Sequence, residues 1–231
     1  MSGSKVTYNQ VAGTSVHRIA GLSDALFGIA LTLTVLEVRI PRGGAIMSEG
    51  ELRSAVFQLG PRLLAYLLSF MTIGIFWVGE ATFLSHLKRS DRHLTWILLA
   101  YLAAIAVMPI STGLLADYIT YRTALLLYWL NILAIGLLSI AAIRYGQHAG
   151  LVNEGIGEDA AAALKRRLVV GQALYAFGVA LCIFNTYWSI TFIVLIQMYY
   201  AFAPRIPRRA RGKHPARTHP IEHELPKETV S

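Results

Sequence analysis

Hydrophobic residues in this 231-residue chain are gathered into long blocks that short polar segments separate. Each block has about the length that an α-helix needs to cross a bilayer, at a rise of about 1.5 Å per residue. The blocks cover residues 22–38, 63–79, 94–115, 123–143, 168–184 and 188–203. The pattern therefore predicts an all-α polytopic membrane protein with six transmembrane helices.

Composition supports a membrane protein over a soluble one. Hydrophobic residues make up 55% of the chain, charged residues 15%, and the mean hydropathy is +0.51, whereas a soluble domain has about 25% charged residues. The first sixteen residues are polar and small and lack the apolar stretch of a cleavable signal peptide. The lone cysteine, Cys182, lies in the fifth block and is expected to be a small core residue.

The net charge of +8 is unevenly distributed along the chain. With the N-terminus in the cytoplasm, 16 of the 21 lysines and arginines fall on the cytoplasmic side. The positive-inside rule therefore predicts that both termini are cytoplasmic. Because membrane topology accounts for the basic charge, no nucleic-acid partner is expected. The tail, residues 204–231, is rich in proline and charge and is predicted to be a basic disordered cytoplasmic segment.

The connections between the blocks carry further signals. The external loop 40–62 contains a predicted short helix that begins at the capping residue Ser48 and continues with Glu51. The internal loop 146–167 ends in the amphipathic sequence EDAAAALKRR, which leads into the fifth span. Acidic residues on the outer side, such as Glu37 and Asp117, either concentrate cations there or are solvated surface charges.

Motifs of the common enzyme classes are missing from the sequence. It contains no Walker A loop, GxSxG elbow, HExxH helix or CxxC pair, so we do not expect an enzyme. The candidate chemistry lies in the first helix, where Arg18, Ser23 and Asp24 stand at the start of an apolar span. Ionisable groups at membrane depth are costly and mark either a structural anchor or an ion path.

The segment Arg18-x-x-x-Leu22-Ser23-Asp24 resembles the Arg-x-x-x-Phe-Ser-Asp signature of the transmembrane protein 175 family, the endolysosomal potassium channels and their prokaryotic relatives. The resemblance continues through LTVLEVRIP, GIFWV, LKRSDRHLTW and MPISTGLLADY, and it covers residues 18–207. Leu22 replaces the usual Phe. The stretch that is polar and often contains His in the family reads Gly79–Glu80 here, so the resemblance does not predict the inter-helix hydrogen bond usually made there.

The resemblance implies a potassium-preferring cation channel that assembles as a homotetramer in the plasma membrane of a prokaryote. The first helix of each six-helix subunit would line a central pore without a TVGYG filter, and no TVGYG occurs in the chain. The expected partners are further copies of the chain, the lipid bilayer and monovalent cations. No cofactor is expected beyond potassium as the permeant ion. The channel domain would cover residues 18–203, preceded by a cytoplasmic segment, 1–17.

Individual pore residues are also implied by the resemblance. The main hydrophobic gate falls on Ile29, and the next two apolar layers fall on Leu33 and Leu36. The selectivity threonine falls on Thr32, where potassium would bind transiently in place of a fixed metal ion, and the supporting tryptophan of the second span falls on Trp77.

Helix geometry gives an independent view of the first span. At about 100° per residue, Ile29 and four other residues lie on one face, within about 40° of Ile29. Thr32 lies about 60° from Ile29, at the edge of this face. The five, counting Ile29, are Arg18, Leu22, Ile29, Leu33 and Leu36. Ser23, at about 120°, and Asp24, at about 220°, lie on the far side. Arg18, Ser23 and Asp24 are therefore assigned to the family motif, with Ser23 and Asp24 pointing back into the subunit as structural anchors.

Simpler interpretations remain open for these residues. The Ile29, Leu33 and Leu36 spacing is also typical of a helix that packs or faces lipid. The Thr32 hydroxyl could bond back to its own helix, Trp77 could be an interface aromatic, and Arg18 could be a positive-inside residue. For the whole chain, the alternatives are an ion- or proton-coupled secondary transporter and a non-conducting structural membrane subunit. No inverted repeat is visible in the two halves, which disfavours the transporter.

Overall fold

The computed structural model describes residues 15–39, 48–184 and 186–202, and these residues form eight α-helices. The helices are α1 (Val16–Val35), α2 (Glu49–Gln58), α3 (Gly60–Ser85), α4 (Arg92–Ala106), α5 (Met108–Asp117), α6 (Arg122–His148), α7 (Ile156–Ala180) and α8 (Thr186–Phe202). A 3₁₀ turn, Leu181–Ile183, follows α7. The predicted tail, 204–231, and residues 1–14 of the predicted N-terminal segment lie outside the described residues.

Five stretches of the described chain are long and apolar enough to cross a membrane, which confirms a polytopic helical protein. They contain α1, α2 with α3, α4 with α5, α6, and α7 with its 3₁₀ turn. The sixth predicted block forms α8, whose apolar part, Trp188–Tyr200, is shorter than the other spans. The fifth span begins twelve residues before the predicted block because the amphipathic segment after Gly155 continues as helix directly into it.

The third predicted span is two helices in the structure. Helix α4 ends at Ala106 and α5 begins at Met108, with Val107 between them. Pro109 lies in the first turn of α5, where a helix tolerates a residue without a backbone N–H. Proline therefore interrupts the hydrogen-bond ladder near the middle of the hydrophobic block.

The predicted short helix of the outer loop is confirmed. Ser48 caps α2: its hydroxyl accepts a hydrogen bond from the Glu51 backbone N–H at 3.3 Å, and its own N–H donates to Glu51 Oε2 at 3.0 Å. This reciprocal pair is a capping box, and it gives a hydrogen-bond acceptor to two backbone N–H groups that would otherwise lack one. Where α3 begins, the Arg62 guanidinium pairs with Asp117 at the end of α5 at 2.9 Å.

The helices pack so that α1 contacts α3, α4 and α5, while α3 also contacts α8. A hydrophobic core runs through this bundle and includes the fully buried Ile73, Leu102, Ile105 and Ile132. Cys182 is buried in the same core, as predicted for a lone membrane cysteine.

Polar side chains form a hydrogen-bonded group inside the bundle. Gln197 Nε2 on α8 donates to Thr72 Oγ1 on α3 at 2.6 Å and to the Tyr175 hydroxyl on α7 at 3.2 Å. Nearby, the Ser69 hydroxyl donates to the Tyr128 hydroxyl at 3.2 Å and accepts from Thr112 at 2.6 Å. Because no water competes in the bilayer core, such bonds satisfy polar groups that would be costly alone.

The loops at the predicted cytoplasmic end are joined by backbone hydrogen bonds, which we call the loop bridge. Lys88 N donates to Leu151 O at 2.8 Å, and Asn153 N donates to His86 O at 2.9 Å. At the same place the Lys88 ammonium donates to Glu154 Oε1 at 2.7 Å, and this hydrogen bond lowers the pKa of the Glu154 carboxyl. The bridge ties the α3–α4 connection to the α6–α7 connection.

Candidate functional site: the first helix and its contacts with the third

Helix α1 presents one buried face and one exposed face. Ser15 caps its N-terminus by accepting a hydrogen bond from the Arg18 backbone N–H at 3.4 Å. The buried face recurs every three or four residues, as expected for one side of an α-helix packed on a bundle. It consists of Ile19, Ser23, Phe27, Ala30 and Thr34.

The opposite face carries an apolar stripe that the rest of the subunit leaves uncovered. Ile29 is 58% exposed and Leu36 is 66% exposed, and Leu22 and Leu33 are also exposed. These are four of the five residues that the helical wheel places on one face. Large exposed apolar side chains in a row favour a surface that meets lipid, another subunit or a narrow pore. The assignment of Ile29, Leu33 and Leu36 to a gate stays a prediction.

Thr32, at the edge of the stripe, is exposed and bonds to its own helix. Its hydroxyl lies 2.8 Å from Ile29 O and 3.1 Å from Gly28 O and donates to these backbone carbonyls. This is the back-bonding geometry common for threonine in membrane helices. Since the hydroxyl proton is used within the helix, the hydroxyl oxygen can act outside it only as an acceptor or as a ligand.

Ser23 and Glu80 form a buried contact between α1 and α3. The Ser23 hydroxyl donates to Glu80 Oε2, and Glu80 is 5% exposed. The Gly79–Glu80 stretch, which departs from the family pattern, left an inter-helix hydrogen bond here unpredicted, and the structure contains one. Glutamate at this position supplies the bond itself, because its carboxylate reaches across to the serine of the motif.

Asp24, the next residue of the motif, makes a second contact with α3. The Trp77 indole Nε1 donates to Asp24 Oδ1 at 2.9 Å. Asp24 is nevertheless exposed, so only Ser23 is buried in the way that the wheel predicted. Asp24, at about 220° on the wheel, lies at the edge of the contact between α1 and α3 and not at its centre. Its contact there is with the side chain of Trp77, which is itself 41% exposed.

The contacts behind the motif involve an aromatic residue that sequence reasoning missed. The Tyr101 ring on α4 lies 6.1 Å from the Phe27 ring, centroid to centroid, and its hydroxyl donates to Phe76 O at 3.3 Å. Tyr101 thus joins α1, α3 and α4 next to the motif. An intramembrane Glu three residues after Trp77 was a visible signal for Glu80, whereas a tyrosine in an apolar block gives no comparable signal.

The segment after the C-terminal end of α1 packs closely against α5. The carboxylate of Glu37 fills the space beside Gly113, where a methyl group would overlap it. Arg39 pairs with Glu37 at 3.5 Å. A larger residue at position 113 would therefore require the Glu37 side chain to move.

The two remaining features concern charge and metal binding. Arg18 is exposed in the first turn of α1. Among the residues that the structure describes, no three His, Cys, Asp or Glu side chains are grouped closely enough to hold a metal ion. The side-chain hydrogen bonds of Ser23 and Asp24 instead link α1 to α3.

Comparison with known proteins identifies relatives of similar size. The family model described as the endosomal/lysosomal potassium channel TMEM175 matches residues 18–109. A potassium channel of Streptomyces collinus is 30% identical over 190 residues, which cover 80% of this chain and 91% of that protein. A potassium channel of Chamaesiphon minutus is 29% identical, with 80% and 92% covered.

A solved structure and an animal relative agree with this match. The crystal structure of the lysosomal potassium-selective channel TMEM175 homologue from Chamaesiphon minutus superposes with a TM-score of 0.71 at 27% identity, covering 81% of this chain and 97% of that one. The human endosomal/lysosomal proton channel TMEM175 is 25% identical over 218 residues, and only 42% of its length is covered. The chain belongs to the TMEM175 family.

Proposed function

We propose that the protein is a cation channel that prefers potassium and conducts along an axis between four copies of α1. The observation that carries the proposal is the exposed stripe of Ile29, Leu33 and Leu36 on a helix whose other face is packed on α3, α4 and α5. Relatives named potassium channels, which this chain covers almost completely, support the same function.

The gate is a ring of apolar side chains. In a fourfold assembly, each stripe residue contributes four copies to one level of the pore. A narrow ring of isoleucine or leucine excludes water and so opposes the entry of hydrated ions. Ile29 forms the main gate, and Leu33 and Leu36 form the two layers above it.

Thr32 provides the ion preference. Its hydroxyl proton is used within α1, so its oxygen is available to a partly dehydrated potassium ion. Four hydroxyl oxygens are a weaker device than a filter lined by carbonyls, and modest discrimination against sodium is expected. The resemblance assigns Trp77 a supporting role at this site, although its indole bonds to Asp24, about 12 Å before Thr32 along α1. Potassium occupies the site only in transit.

The motif residues anchor α1. Ser23 and Asp24 contact Glu80 and Trp77, so they fix the rotation of α1 and with it the direction of the stripe. Arg18 completes the motif at the start of the helix. The channel is placed in a prokaryotic plasma membrane with both termini in the cytoplasm, where the short N-terminal segment and the basic tail flank the channel domain, 18–203.

Recording from purified protein in a planar bilayer tests this proposal. Unitary currents whose reversal potential is shifted toward the potassium equilibrium potential in a potassium–sodium gradient are expected. Coupled flux without unitary currents would favour a secondary transporter, and no flux at all would favour a structural subunit. Because some relatives are named proton channels, a recording in a pH gradient without potassium separates proton current from potassium current.

A further inference from the structure

A crevice of about 300 Å³ lies between α3 and α7, with α6 and α8 at its sides. Its walls extend along α7 from Ala160 to Tyr175 and along α3 from Thr72 to Thr82. At about 1.5 Å per residue, the α7 wall is on the order of 20 Å long. The crevice contains no residue of α1, so it is separate from the proposed pore.

The crevice has one strongly charged group in its wall. The Arg167 guanidinium lies 5.1 Å from the centroid of the Tyr200 ring and donates to Tyr200 O at 3.1 Å. These contacts hold the guanidinium in place and use one of its five N–H donors. A phosphate group suits the remaining donors, because arginine binds phosphate in a bidentate geometry.

Arg167 lies at the level expected for lipid headgroups. From Leu168 to the end of the 3₁₀ turn at Ile183, no residue is charged, and the apolar part of α8 ends at Tyr200. Tyrosine is enriched where a membrane span meets the headgroup region. The part of the crevice between Leu168 and Tyr175 therefore extends into the hydrocarbon region, and the part at Ala160 and Thr82 extends toward water.

The charge next to the crevice favours an anionic occupant. Lys165 and Arg166 precede Arg167 on α7. Basic clusters next to a transmembrane helix attract anionic lipids of the adjacent leaflet. The occupant thus needs a negatively charged headgroup together with an apolar chain.

Glycines leave room for such a chain. A methyl group at Gly171 would meet only the Tyr200 side chain, at 3.8 Å, and one at Gly79 would meet Leu164 at 3.4 Å. Both glycines line the crevice on facing helices. We propose that the crevice binds one phospholipid with an anionic headgroup, its phosphate on Arg167 and an acyl chain along α7 from Gly171 toward Tyr175.

The test uses the purified full-length protein in nanodiscs that contain equal parts of phosphatidylglycerol and phosphatidylcholine. Native mass spectrometry counts the lipids that remain bound after the bulk bilayer is removed. Wild-type protein should retain phosphatidylglycerol preferentially. Arg167→Gln should lower the ratio of retained phosphatidylglycerol to phosphatidylcholine about tenfold, the change expected when a charge-assisted hydrogen bond to the phosphate is lost.

Two matched pairs of variants, at Arg167 and Arg166 and at Gly171 and Val170, define the site. Arg166→Gln removes the same charge one residue earlier on α7, outside the crevice, and should leave the ratio nearly unchanged. Gly171→Leu should displace both lipids by filling the crevice, whereas Val170→Leu, on the exposed surface outside it, should displace neither. Melting temperatures of all four variants identify any that lose the fold, and the Arg167/Arg166 pair decides the proposal if Gly171→Leu is unstable.

Several outcomes would overturn the proposal. Equal loss of preference in Arg167→Gln and Arg166→Gln would indicate a diffuse basic surface without a site. Equal retention of the two lipids by wild-type protein would show that headgroup charge is not recognised. Crevice variants that change the oligomer mass but not the bound lipid would show that a second copy of the chain occupies the crevice.

Discussion

Ser23 and Glu80, which are 57 residues apart in the sequence, meet in a buried hydrogen bond between α1 and α3. Ser23→Ala and Glu80→Ala should each destabilise the protein, and the double variant should cost less than the two separate losses combined. Membrane proteins show coupling energies of about 0.6 kcal/mol on average for such pairs and up to about 2 kcal/mol. Unfolding in detergent by increasing denaturant measures the four free energies.

Two further variants serve as controls for this Ser23–Glu80 double-mutant cycle. Thr82, also on α3, donates to Val78 O of its own helix, so Thr82→Ala should combine additively with Ser23→Ala. Glu80→Gln keeps an oxygen acceptor for Ser23 and should be milder than Glu80→Ala. Additive losses for Ser23 and Glu80 themselves would mean that their hydrogen bond contributes nothing to folding.

Asp24 is predicted to hold α1 in position without setting ion preference. Asp24→Ala leaves the Trp77 indole without its acceptor and should reduce the fraction of assembled tetramer, at a cost of about 1–2 kcal/mol. Asp24→Asn keeps a side-chain oxygen and should assemble better. Size-exclusion chromatography measures assembly, and reversal potentials measure ion preference. Normal assembly of Asp24→Ala with altered preference would make Asp24 part of the ion path.

The gate assignment predicts a gain of current from a polar substitution. Ile29→Asn should let water occupy the narrowest ring and raise the basal open probability, because four copies of the amide line one level of the pore. Val35→Asn is the control, since Val35 is also exposed on α1 but lies about 120° from the stripe centre. Bilayer recordings compare the two. A larger current from Val35→Asn than from Ile29→Asn would show that the pore face was assigned wrongly.

Two substitutions of Thr32 test whether its hydroxyl oxygen or the shape of its side chain sets the ion preference. Thr32→Val has the same shape without the hydroxyl and should conduct with a weaker preference for potassium over sodium. Thr32→Ser keeps the oxygen and the bond to the Ile29 carbonyl and should retain the preference. Reversal potentials under bi-ionic conditions measure the ratio. An unchanged ratio in Thr32→Val would remove Thr32 from the selectivity site.

The predicted orientation can be tested by labelling in intact cells. In a Cys182→Ala background, Glu154→Cys in the α6–α7 loop should be protected from an impermeant thiol reagent. Arg53→Cys on α2 should react, because both side chains are exposed and only their predicted side differs. Labelling of Glu154→Cys with protection of Arg53→Cys would invert the topology.

Properties that depend on local periodicity could be predicted from the sequence. The spacing of Ile29, Leu33 and Leu36 identified the face of α1 that the subunit leaves exposed, since 3.6 residues per turn fixes which side chains share a face. Ser48 and Glu51 identified the start of α2 because a capping box depends on four consecutive residues. Pro109 was also visible, although the hydrophobic block around it hid the break between α4 and α5.

Contacts between distant segments could not be predicted in the same way. Whether Glu80 faces Ser23 depends on how α1 and α3 are placed and rotated, and periodicity within either helix leaves that placement undetermined. The same holds for Tyr101 beside Phe27 and for the loop bridge between Lys88 and Leu151. The helical wheel wrongly predicted that Asp24 points into the subunit. It gives angles around α1 only and does not show which of those angles a neighbouring helix covers.

The spacing of the α1–α3 contacts limits how the proposed pore can open. Ser23 and Asp24 are adjacent, about 100° apart around α1, whereas Trp77 and Glu80 are separated by almost one turn of α3. Rotating α1 about its own axis would break both hydrogen bonds at once. Ile29 lies only about 7.5 Å farther along the helix than Asp24. An opening motion that preserves both bonds must therefore tilt α1 and α3 together as one body, or bend α1 within the roughly one and a half turns between Asp24 and Ile29.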